Sequence, residues 1–298
     1  MDAQILPLRS GAGPTVESAR AVADRYLSRC KLAPKTVTAY RRQTAAYTAW
    51  LGTHPDAHPD AFTDAVGAEA AVTAWRRHLL TSGASPSSVN QGLAAVTLLY
   101  EHGASLRIKV KRARVPRPGE PDALTPAQQG ALERAATRRG VRDAAIIAVL
   151  LYTGARVEEC ARLTTDDLAI TARTGKAHLV GKGDQARDIP LPAKARDKVS
   201  AWLDQRGRDP GPLWTGQRGP LTISGITQVV LAVGDDAKLP GLRPHRCRHT
   251  YATRLRQGGA DPAQIQALLG HATLETAGRY FRAGPAEQAA VIERIFEE

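Results

Sequence analysis

The chain has 298 residues, 43% of them hydrophobic, and a formal net charge of +12. That length holds two domains with ample cores, and the apolar content excludes a disordered chain. Lys/Arg outnumber Asp/Glu by 16 to 9 in residues 1–120 and by 25 to 20 in residues 121–298, so basic charge is spread along the chain and favours a polyanionic partner.

Residues 1–14 read as a tail, followed by a helical region, 15–112. Its first helix candidate is VESARAVADRYLSRC, with Ala19, Val22, Ala23, Tyr26 and Leu27 on one face. A second follows Pro34 and ends at Gly52, and a third, GAEAAVTAWRRHLLTSG, stops at Gly83. Ser85 offers an N-cap with Pro86 in the first turn of a fourth. Nothing here alternates like a strand, so a compact all-α domain is expected. VKRARVPRPGEPDA then concentrates proline and basic residues, and 113–123 reads as a cationic linker.

The second domain, 124–298, opens with Thr125 as N-cap and Pro126 at the first helical position, and reads as helical through 126–151. LAIT, AHLVGK and ARDIPL are extended candidates separated by turn clusters, and helices resume from Ala193. The expected fold class is mainly α with a small antiparallel sheet in the C-terminal domain. No apolar run reaches the ~18–20 residues of a membrane span, and MDAQILPLRSGAGP lacks the look of a signal peptide. A cytoplasmic protein with no membrane partner is expected. Three cysteines at wide spacing (Cys30, Cys160, Cys247) imply no disulfide framework.

Four islands carry possible chemistry. In LLYTGARVEECARL, Arg156 stands at a turn with Glu159 three residues on, placed to orient its guanidinium. Lys182 lies between Gly181 and Gly183 at a presumed hairpin tip, where a large substrate can approach closely. In LRPHRCRHTYATRL, Pro244 starts a helix carrying His245, Arg248 and His249, and an imidazole beside a guanidinium suits an anionic oxygen. A metal site built from His245, Cys247, His249 and His271 is the competing reading, disfavoured because alternate helical residues point to different sides. The last island, LLGHATLETAGRYF, holds His271 and Tyr280. Taken singly, each island also reads as ordinary surface or core.

Together, the order Arg156, Lys182, His245-x-x-Arg248, Gly270-His271, Tyr280 resembles the tyrosine recombinases, the phage integrase family, in their two-domain Xer-like form. TVTAYRRQTAAYTAWL and SPSSVNQGLAAVTLLYE extend the likeness to the family's core-binding domain. The resemblance implies a two-domain DNA clamp and site-specific strand cleavage and rejoining through a 3′-phosphotyrosyl link at Tyr280, without ATP or a metal cofactor. Arg156 and Arg248 would hold the phosphate oxygens and Lys182 would protonate the leaving 5′-oxygen. His245 would handle the tyrosine proton or support the phosphate, and His271 would donate a hydrogen bond to it. Glu159 and His249 would be supports, and Lys35, Arg41 and Arg42 candidate DNA contacts. The implied partners are double-stranded DNA carrying recombination sites and further copies of the chain. It would be largely monomeric when free and tetrameric on two sites, with the amphipathic segment 286–298 docking either on its own domain or on a neighbouring protomer. Gly278-Arg279 depart from the commonest family pattern without removing a catalytic group. A type IB topoisomerase and a non-catalytic DNA-binding regulator are the alternatives.

Overall fold

In a computed structural model, residues 15–116, 122–181 and 185–270 are described. Lys182, His271, Tyr280 and the segment 286–298 lie outside them. The chain divides into two compact units, Met1–Arg117 and Pro118–Glu298.

Helices α1 (Val16–Arg29), α2 (Pro34–Gly52), α3 (Ala65–Thr81) and α4 (Pro86–Leu98) build the first unit. Their starts are set locally: Thr15, Asp64 and Ser85 each accept a hydrogen bond from the backbone N–H three residues on, satisfying a donor that the helix leaves orphaned. α4 runs on into a π-helical turn, Leu99–Gly103. The core gathers around Tyr47, Trp75 and Tyr100, with the two tyrosine hydroxyls 2.6 Å apart. Burial pushes the Tyr100 hydroxyl up to about 12.

On α1, Ala19, Ala23 and Leu27 are buried as their spacing predicts, but Tyr26 is exposed and stacks on His102 instead. An amphipathic ring satisfied by a surface partner has no need of the core. Past the π-turn, Asn90 bonds both the N–H and the carbonyl of Ala113, which is itself buried against this core.

In the second unit, Thr125 and Gln128 form a reciprocal capping box at the start of α5 (Pro126–Arg139). The expected single helical stretch 126–151 is in fact two helices. Gly140, at φ 127°, ends α5 and turns the chain into α6 (Val141–Thr153). Every residue of α6 from Asp143 to Leu151 is buried, which fits a helix apolar on all sides at the centre of a core. The buried Asp143 carboxylate is paired with Arg139 and Arg142.

After α7 (Val157–Arg162), β1 (Leu168–Ile170), β2 (Gly175–Val180) and β3 (Ala186–Pro190) pair antiparallel in the order β1-β2-β3. Ala177 lies opposite Ile189 and Leu179 opposite Arg187, so these four share the sheet's inward face. α8 (Ala193–Arg206) packs on α6. A ribbon of β4 (Thr215–Gly216) and β5 (Gly219–Pro220) follows that sequence reading did not anticipate. Helices α9 (Ile223–Asp236), α10 (Pro244–Gln257) and α11 (Pro262–Leu269) complete the described chain. Trp214 donates to the Cys160 carbonyl at 2.7 Å, fixing the end of α7. Cys160 and Cys247 are fully buried, and burial pushes both thiols up to about 12. Among the described residues, no helix is long and apolar enough to cross a membrane.

Candidate active site

Arg156 is the N-cap residue of α7, in the turn that follows the left-handed Gly154. Glu159 sits one turn into that helix and is 5% exposed. Its carboxylate accepts the Arg156 backbone N–H at 2.8 Å and the Arg156 Nη1 at 2.7 Å, so the pairing that the i, i+3 spacing predicts is present. Sequence reading missed the second guanidinium on Glu159. Arg187, projecting from the inward face of β3, forks onto both carboxylate oxygens, with Nη1 at 3.1 Å and Nη2 at 2.7 Å. Burial alone pushes the Glu159 carboxyl up, but the Arg187 guanidinium and the Arg156 N–H outweigh it and hold the group below the usual carboxylate range.

Arg248, on α10, is 2% exposed. Its Nη1 donates to the Gly154 carbonyl and its Nη2 to the Leu269 carbonyl, both at 2.6 Å. The end of α11 thus gathers three cations on three consecutive carbonyls. Arg187 Nε donates to Leu268 at 2.9 Å, Arg248 to Leu269, and Arg156 Nη2 to Gly270 at 3.1 Å. A helix C-terminus presents unpaired carbonyls and negative partial charge, which guanidinium donors satisfy.

The rest of the α10 motif divides by face. Cys247 turns into the hydrophobic core. His245 is exposed and His249 half-buried, their rings edge to face with centroids 4.3 Å apart. His245 therefore stands beside His249, whereas Arg248 is directed inward. Among the described residues, no group of three or more His, Cys, Asp or Glu is placed to hold a metal. In the first unit, Lys35, Arg41 and Arg42 are exposed on α2, and Arg41 is paired with Asp24 at 2.6 Å and with Ser28 at 2.8 Å.

Two glycines sit in tight quarters here. Gly181 precedes Lys182, and a Cβ on it would come within 3.2 Å of both the Gln185 carbonyl and the Glu159 carboxylate. Gly270 caps α11 at φ +62°, and a Cβ there would lie 2.9 Å from Arg187 Nη1. Gly270→Ala should therefore destabilise the chain by about 1–2 kcal/mol from the left-handed backbone alone, and displace Arg187. Thermal melting checks this, and a variant as stable as the parent would exclude the strained cap.

The sequence profile described as Phage integrase family matches residues 123–287. Tyrosine recombinase XerC of Pelobacter propionicus is 30% identical over 282 residues, covering 90% of this chain and 91% of its own. Tyrosine recombinase XerD of Bifidobacterium longum is 31% identical over 280 residues, covering 85% and 88%. Among solved structures, XerH site-specific recombinase bound to difH substrate superposes with a TM-score of 0.69 at 17% identity, covering 98% and 99%. Both long relatives run nearly end to end with this sequence, and the solved structure has the same fold. The chain belongs to the phage integrase family, and is a Xer-like tyrosine recombinase.

Proposed function

We infer that this chain cuts and rejoins DNA at specific sites through a covalent bond to Tyr280. The observation that carries the mechanism is the arginine cluster: Arg156, Arg187 and Arg248 converge on the end of α11 with one carboxylate, Glu159, set between two of them. That excess of positive charge is a receptor for an anion, and it stands immediately before the segment that contains His271 and Tyr280.

In this reading the Tyr280 Oη attacks the scissile phosphorus. A 3′-phosphotyrosyl bond forms and the bond to the 5′-oxygen breaks. The tyrosine proton passes to His245, and Lys182 delivers a proton to the departing 5′-oxygen. Arg156 and Arg248 hold the non-bridging oxygens, where planar forks supply charge and direction together. His271 donates a further hydrogen bond, while Glu159 and His249 support the first ring of groups. The phosphotyrosyl bond conserves the phosphodiester energy, so the 5′-hydroxyl can reverse the reaction without ATP. The charge comes from the chain itself, so no metal cofactor is required.

Double-stranded DNA is the substrate, and both basic units contribute phosphate contacts; Lys35, Arg41 and Arg42 are the candidates in the first. A nicked suicide substrate resolved on a denaturing gel tests the function. A recombinase forms its adduct at its own site, a topoisomerase relaxes any plasmid, and a DNA-binding regulator forms no adduct.

Assembly is proposed to be DNA-dependent, from a largely monomeric free chain to a tetramer on two sites. Residues 286–298 place Ala289, Val291, Ile292, Ile295 and Phe296 on an apolar stripe, with glutamates elsewhere. A helix of that length, as the sequence spacing predicts, would need a docking partner, which the neighbouring protomer provides in this reading. Deleting 286–298 should leave one-site binding intact and abolish the two-site complex in a gel-shift titration. Unchanged synapsis would refute exchange between protomers.

A further inference from the structure

We propose that Arg187 is a positioning residue for strand cleavage. It holds the buried carboxylate that orients Arg156, and it anchors the end of α11, to which Arg156 and Arg248 also bond. This rests on the recombinase reading above.

The three arginines at the end of α11 are not equivalent. The Arg156 side chain is 38% exposed and that of Arg187 is 9% exposed. Arg156 gives Nη2 to Gly270, and Arg248 gives Nη1 to Gly154 and Nη2 to Leu269. Each guanidinium carries five N–H donors, so Arg156 and Arg248 can keep these carbonyls and still turn N–H groups toward a non-bridging phosphate oxygen, provided the helix end they bond stays in place. Arg187 spends its donors otherwise. Two go to Glu159 and one to the Leu268 carbonyl. An ion pair this deeply buried and this well satisfied is costly to break, so it is the part of the cluster that persists when phosphate arrives.

The hub also reaches the lysine hairpin. Arg187 lies five residues beyond Lys182, on β3, and the Glu159 carboxylate lies against Gly181, the residue just past the end of β2. One buried pair thus connects three pieces of machinery carried on separate elements: the Lys182 hairpin, the Arg156 turn, and the helix end preceding His271 and Tyr280. Sub-ångström placement of such groups has large kinetic consequences.

The test compares Arg187→Gln with the parent chain in single-turnover cleavage of a nicked suicide site, in binding to one-site duplex, and across pH. Duplex binding should stay within about twofold of the parent, since the Arg187 side chain is only 9% exposed, while cleavage slows by roughly 10²-fold. The pH profile separates positioning from a general structural role. Among the described residues, the groups facing Glu159 are Arg156 and Cys160 at its own helix and Arg187 from β3. With Arg187 gone, burial drives the Glu159 carboxyl upward, so the variant should lose rate as pH falls from neutral toward 5.5. Adding Glu159→Gln should erase that acid limb, leaving the rate at every pH near the low value that Arg187→Gln reaches at its acid end. Should Arg187→Gln fail to fold, Arg187→Lys keeps the buried charge but not the fork. Slowed cleavage with intact binding then supports the assignment. Parental cleavage by either folded variant, or a slowing equal at every pH, overturns it. A parent chain that forms no adduct at all would instead overturn the recombinase reading.

Discussion

Replacing Tyr280 by phenylalanine should reduce the covalent protein–DNA adduct by roughly 10³-fold or more, to the background of the assay, while duplex binding stays at the parental level. The hydroxyl is the proposed nucleophile, and removing one oxygen from a ring barely changes its packing. A denaturing gel of suicide substrate labelled at the 5′ end of the cleaved strand reads the adduct, and a gel shift reads binding. An adduct formed by the phenylalanine variant would remove Tyr280 from the mechanism and direct attention to another nucleophile.

Arg248→Lys should cost roughly 10²–10³-fold in cleavage rate, the usual consequence of losing an oriented donor to the transition state. Two effects combine at this position. A lysine is a point charge and cannot reproduce a bidentate grip on phosphate. In the DNA-free chain it also cannot reach both the Gly154 and Leu269 carbonyls that Arg248 joins. One buried carbonyl left without a partner costs about 1–3 kcal/mol, so the melting temperature should fall as well. Rates measured well below that melt isolate the catalytic part. In the parent, cleavage should continue in excess EDTA, because guanidinium charge stabilises the transition state. If chelation stops adduct formation and zinc restores it, the histidines form a metal centre after all.

What the sequence made legible was the local chemistry. Thr125-Pro126, Ser85-Pro86 and Pro244 each start a helix where expected, because a cap or a proline ring acts within a single turn. The Arg156–Glu159 pair was equally accessible from its spacing. The break at Gly140 was not: a glycine in a helical pattern reads as a weak spot, and the positive φ that turns it into a corner comes from packing. The ribbon of β4 and β5 has two residues per strand, too few for alternation to register.

Arg187 is the instructive omission. Its partners lie 28 and 81 positions away in sequence, at Glu159 and Leu268, and no local pattern connects them. A signal was nevertheless present in ARDIPL. Period-two alternation puts Arg187 on the same face as the buried Ile189, and a charge on the inward face of a half-buried strand needs a partner in the core.

The two sealed thiols have a practical consequence. Cys160 and Cys247 lie in the core of the second unit, and a thiol that resists ionisation reacts poorly with alkylating reagents and oxidants. Cys30, partly accessible at the end of α1, is left as the addressable sulfur of the native sequence. A maleimide fluorophore would therefore mark the helical unit selectively. The folded protein could be labelled for single-molecule observation on DNA without engineering a cysteine or altering any group of the arginine cluster.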